Sequence, residues 1–177
     1  MADAIPPLID YSVTIDALPS LVWHFLTDRR AMLTWMAQPG LQVEVDTNWG
    51  VGSPIVTRGF LHNGIAFENR GVVQRFEPSE HLQYTHSNSL SRLPDKSWSD
   101  CIVEFRLQPS GATTVLNISI HNFATESIYH HLNFYWRGTI NIIKQVVEAA
   151  PRDRSVESVE LAKRYGDVCR GSGEGRS

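Results

Sequence analysis

SIYHHLNFYWRGTINIIKQVVEA, residues 127 to 149, is the longest unbroken helical pattern in the chain. Ile128, Leu132, Tyr135, Trp136, Ile140, Ile143, Val146 and Val147 recur at spacings of three and four, which stacks them into one broad apolar stripe. A stripe of that width needs a large partner surface, and the preceding residues have to supply it. Thr125 or Ser127 can cap the first turn, with Glu126 well placed at the positive end of the helix dipole, and Pro151 stops the pattern. Gly138 interrupts the helix interior at a cost of about 1 kcal/mol relative to Ala, so a close backbone approach or room for a bound molecule is expected there.

Working outward, Ile9, Tyr11, Val13 and Ile15 alternate with polar residues, the mark of a strand with one buried face. Pro19 opens a helix carrying Leu21, Val22, Phe25 and Leu26, and Asp28 caps a second bearing Met32, Leu33, Trp35 and Met36. Strand patterns follow over residues 41–46, 54–61, 65–76, 81–87, 97–107 and 113–121, divided by turn signals such as Asn48 to Gly52, His62-Asn63-Gly64, Glu77-Pro78-Ser79 and Pro109-Ser110-Gly111. Short connections favour an antiparallel meander. The order is β-α-α-β6-α, an α+β chain whose economical packing is a curved sheet with the long helix across its concave face. The expected domain spans residues 9–150, and 151–177 is a polar tail with at most one short helix before a mobile GSGEGRS end.

Composition narrows the function classes. With 177 residues the chain fits one core, and no apolar run approaches the roughly 20 residues that span a bilayer. The acidic start, MADAIPPLID, has no apolar signal core, so a cytoplasmic location is expected. A formal charge of −3 supplies no basic field for a nucleic-acid partner. Cys101, in a strand, and Cys169, in the tail, read as reduced thiols. No HExxH, CxxC, GxSxG or phosphate-cradling glycine string is present, so neither a metal nor a cofactor is expected. His130 and His131 point about 100° apart on a helix and do not converge on one ion; they mark the rim of the helix start.

The strings VTIDALPSLVWHFLTDRRAMLTWMAQPGLQVEVD (13–46), GVVQRFEPSEHLQYTH (71–86) and YWRGTINIIKQVVE (135–148) resemble the START-like, or SRPBCC, superfamily, and within it the group related to the C-terminal domain of the Hsp90 ATPase activator. The resemblance covers about Ile9 to Ala150. It implies a helix-grip fold whose sheet and long helix enclose a cavity; members carry lipids, bind plant hormones or act as polyketide cyclases and aromatases. The eukaryotic activators pair this domain with a separate N-terminal one, whereas only Met1 to Leu8 precede the first strand here, so Hsp90 is not the expected partner.

Leu82, Tyr84 and His86 share a strand face, which puts a phenol and an imidazole on the expected cavity wall. They are either core residues with paired polar atoms or groups that orient a ligand, with His86 available as a general base. Parity groups Cys101, Val103, Phe105 and Leu107 inward, with Glu104 and Arg106 outward, and turns Leu116, Ile118 and Ile120 inward and His121 outward. Neither face of 54–61 or 65–76 is cleanly apolar, so parity does not orient those strands; Arg58 and Glu68 pair across them, either inside the cavity or on the outer face. Trp98 and Trp136 either wall a pocket or fill it. The candidate ligand-binding set is Tyr84, His86, Val103, Phe105, Leu132, Trp136 and Ile140. Three functions remain open: a module binding an apolar or aromatic small molecule; a cyclase-, aromatase- or hydrolase-like enzyme using His86 and Tyr84; and an interaction protein that meets a chaperone or forms a homodimer through the tail or the 88–96 loop.

Overall fold

A computed structural model describes residues 8–36, 42–61, 63–88 and 100–151. Its elements are β1 (Leu8–Ile15), α1 (Pro19–Thr27), α2 (Arg29–Met36), β2 (Gln42–Asp46), β3 (Pro54–Phe60), β4 (Ala66–Glu77), β5 (His81–Asn88), β6 (Cys101–Ser110), β7 (Thr113–His121) and α3 (Glu126–Glu148). The seven strands form one antiparallel sheet in the order β1-β7-β6-β5-β4-β3-β2, so the chain crosses from one edge to the other through α1 and α2 and then meanders back. The expected β-α-α-β6-α order and α+β helix-grip architecture are those observed. The expected tail helix, the 88–96 loop beyond Asn88, Trp98 and Cys169 lie outside the described residues.

Capping chemistry sets the helix starts. The Asp28 carboxylate accepts from the backbone N–H of Arg30 and Ala31 at 3.0 and 2.9 Å, which holds its carboxyl below the usual range. Of the two candidate caps on α3, Thr125 does the work: its hydroxyl accepts from the Ile128 N–H. The α3 stripe is buried at Leu132, Trp136, Ile140, Ile143 and Val147, with Thr139 beside them, and it packs on inward residues of β6 and β7. Cys101, Val103, Phe105, Leu107, Leu116, Ile118 and Ile120 are all buried, as their parity requires. No described helix is long and apolar enough to cross a membrane.

Two local expectations are corrected. Gly138 lies on the exposed side of α3, and a Cβ there would meet nothing within 4 Å, so neither a close backbone nor a ligand explains it. Pro109 and Ser110 belong to β6, opposite Thr114 and Thr113, because Pro109 falls at the strand's end and the two-residue turn is Gly111-Ala112, with Gly111 at φ 62°. The turn after β2 is fastened by Trp49, whose φ of 60° is unusual for so bulky a residue. Its indole N–H donates to the Thr27 carbonyl at 2.6 Å and its ring stacks on Phe76, which ties the turn to the end of α1.

Candidate functional site

The concave face can be followed across the sheet by register. Leu82, Tyr84 and His86 stand opposite Phe105, Val103 and Cys101, while Ile55 and Thr57 stand opposite Gly71 and Asn69. Over β6 and β7 this face is filled by α3. Over β3, β4 and the end of β5 it mixes Ile55 and Val73 with small and polar side chains such as Thr57, Asn69 and Gly71, and α3 does not fill the space. A cavity of about 110 Å³ remains there, roofed by α2 and the first half of α3.

Of the candidate residues, Tyr84, His86, Val103, Leu132 and Trp136 line this cavity. Phe105 and Ile140 lie deeper, in sealed core; Phe105 supports the wall from behind, meeting the Trp136 indole edge to face with centroids 5.6 Å apart. Sequence reasoning passed over Met32 and Trp35 of α2, Asn69 and Gly71 of β4, and Tyr135 of α3, which also line it. Alternation on β4 was the available signal: Asn69, Gly71 and Val73 share parity, and buried Val73 marks that face as inward. Gly71 is required by geometry, since a Cβ there would stand 1.7 Å from the Thr85 carbonyl oxygen. His131 and Arg70, both exposed, form the mouth, while His130 faces Glu126 at 3.3 Å on the helix surface.

Polar groups on the cavity wall lack protein partners. The Asn69 Oδ1 is buried and accepts no hydrogen bond, and among the described residues neither the Tyr84 hydroxyl nor the His86 ring makes one. Burial pushes the Tyr84 phenol up, with Tyr135 adding to it, and pushes the His86 imidazole down to about 4, with His131 adding to it. Both are therefore neutral at pH 7. The Cys101 thiol is buried and pushed up to about 12 by burial and by Asp100, so it is no nucleophile.

The outer face holds the other ionisable clusters. Arg58 and Glu68 pair there at 2.6 Å with Arg70 alongside, so this pair is exposed and not internal. Buried His81 contacts Glu104 at 2.5 Å, and Glu104 also accepts from Arg106 and Ser119. Burial pushes the Glu104 carboxyl up, but the bonds from Ser119, His81 and Arg106 outweigh it and leave it lowered. With its oxygens occupied, that network is structural.

An antiparallel sheet closed around a long C-terminal helix, with a cavity between them, defines the helix-grip class of the START-like superfamily. A family model described as Activator of Hsp90 ATPase homolog 1-like protein matches residues 16–148, and the chain belongs to that family. Among solved structures, a protein from Chromobacterium violaceum is similar at TM-score 0.71 and 20% identity, covering 82% of this chain and 99% of its own. A solution structure from Cytophaga hutchinsonii is similar at 0.67 and 23%, covering 82% and 96%. The Aha1 dimer from Colwellia psychrerythraea is similar at 0.62 and 21%, covering 80% and 96%. These likenesses concern the fold. No curated protein matches the chain in sequence.

Proposed function

We propose that this domain, residues 9–150, is a binding protein that holds a small apolar or aromatic molecule between the concave sheet and α3. The observation that carries the reading is the cavity itself: an apolar wall of Trp35, Val103, Leu132 and Trp136 facing a few unpartnered polar groups, the usual make-up of a ligand site. Its volume of about 110 Å³ approaches the roughly 150 Å³ of an apolar cavity that takes benzene, so one small ring fills it. A larger ligand would leave its remainder in the mouth beside His131 and Arg70.

Binding is favoured over catalysis by the state of His86. A general base works best with a pKa near the operating pH. An imidazole held down at about 4, with no described partner to orient it, is a weak base and a good neutral hydrogen-bonding group. Native mass spectrometry of protein purified from its own host tests the reading: a bound small molecule that Trp136→Ala loses supports it, and a bare chain contradicts it.

A second reading, self-association, is favoured by exposed apolar side chains. Phe134 on the outer face of α3 is 85% exposed, and Phe60 and Ile65 stand out at the β3–β4 hairpin. The Colwellia relative is described as a dimer. Light scattering at several concentrations, with an Hsp90 pull-down alongside, tests this: a monomer that captures no chaperone removes it.

A further inference from the structure

The cavity reading above is the footing for a narrower one, drawn from the polar end. We infer that the cavity selects a neutral ligand carrying a hydroxyl group, seated against Asn69, Tyr84 and His86, with its hydrocarbon body against Trp136, Val103 and Leu132.

Three observations lead there. First, the Asn69 Oδ1 is buried on the cavity wall without a partner, an arrangement native structures rarely leave unless something else completes it. Second, the Tyr84 phenol and the His86 imidazole line the same cavity and make no hydrogen bond to any described residue, so the wall offers a guest an amide, a phenol and an imidazole. A hydroxyl suits this set because it donates and accepts at once. It satisfies the Asn69 amide in either orientation and still leaves a lone pair for the Tyr84 O–H or a proton for an imidazole nitrogen. Third, among the described residues no carboxylate lines the cavity, and the Arg70 guanidinium at its mouth is engaged by Glu68 on the outer face. An ionised guest would lose its hydration without replacement.

The neutral state of the wall agrees with this geometry. At pH 7 the His86 ring carries no proton charge and the Tyr84 phenol keeps its proton. A water molecule can fill the same polar corner when no ligand is bound, since it too needs two to four polar partners. The hydroxyl of the ligand takes that water's place, while a hydrocarbon of the same shape cannot reproduce its bonds.

The test is a two-dimensional amide NMR titration of the full chain at pH 7 with cyclopentanol, cyclopentane, cyclopentanecarboxylate and cyclopentylammonium. Cyclopentanol is expected to shift amides on β4 and β5 around Asn69 and His86 and to bind about tenfold tighter than each of the other three, the scale of one well-made hydrogen bond. Asn69→Leu is expected to erase that advantage while melting at the same or a higher temperature, because it removes a buried polar atom that has no protein partner. A merely structural Asn69 would instead lower the melting temperature and leave the preference for the alcohol intact. Tyr84→Phe, which keeps the ring, is expected to weaken cyclopentanol several-fold and leave cyclopentane unchanged. Cyclopentane or the carboxylate matching the alcohol would overturn the polar-end assignment and leave the cavity reading standing. If no compound shifts any cavity amide, the cavity reading falls and this assignment with it.

Discussion

The indole of Trp136 on α3 meets the ring of Phe105 on β6 edge to face, with centroids 5.6 Å apart and planes inclined at 73°. One face of the indole therefore belongs to the core and another to the cavity, and Trp136 is only 5% exposed. Trp136→Ala removes the core contact outright and is expected to cost about 3 kcal/mol or more, a large part of an ordinary domain's stability. Trp136→Phe keeps part of the Phe105 contact and should cost clearly less. Denaturant midpoints of the two variants check the order; equal values would place Trp136 in the cavity wall alone.

The same substitution at two glycines should have opposite signs. Gly138 lies on the exposed side of α3 with open space where a Cβ would go, so Gly138→Ala should stabilise by about 0.5–1 kcal/mol through helix propensity. A calorimetric melting temperature that rises by a few degrees would agree; a fall would mean the outer face of α3 is covered in solution.

Gly71→Ala should do the reverse. Its Cβ would stand 1.7 Å from the Thr85 carbonyl oxygen, and backbone cannot yield as a flexible side chain does. At this point the Val72 N–H is already satisfied by the Thr85 hydroxyl, and the β4–β5 register shifts just beyond, between Val73 and Arg75. The expected loss is about 2–3 kcal/mol, with amide shifts spreading to Asn69 and Tyr84. An unfolding midpoint within error of the wild type would show that the strands part easily there.

Much of this arrangement was legible in the sequence because its residues obey one rule each. The α3 stripe, the alternation in β1, β6 and β7 and the caps at Asp28 and Thr125 all report packing, and packing leaves periodic traces. The facing of β3 and β4 was not legible for a physical reason. Among their inward positions, Ile55 and Val73 are apolar while Thr57, Asn69 and Gly71, which border a void, have no need of bulk, so alternation disappears where the cavity begins. Asn69 escaped notice on the same ground, and Gly138 misled because a glycine in a helix records a backbone allowance and not its purpose. Phe105 and Ile140 share parity or stripe with the true cavity wall; which of two such residues reaches the void depends on the height of the helix above the sheet, which periodicity does not encode.

Acid should find His86 before it finds the carboxylates. Its folded pKa of about 4 lies below the unfolded value near 6.5, so the unfolded chain takes up the proton first. The stability linked to neutral His86 is fully present above pH 6.5 and is lost as the pH falls toward 4, by up to about 3 kcal/mol. His86→Gln has no such proton to bind, and its stability curve should be flatter between pH 6.5 and 4.5. Parallel urea titrations across that window check the difference; superposable slopes would place His86 in contact with water.

The central claim is that the space between Trp136 and Asn69 takes a small neutral molecule, and a crystal structure of the full chain grown with saturating cyclopentanol tests it most directly. The account predicts the ring against Trp136 and Val103, with its oxygen within about 3.2 Å of the Asn69 amide. A cavity closed by its own side chains, or the alcohol found only elsewhere on the protein, would contradict it.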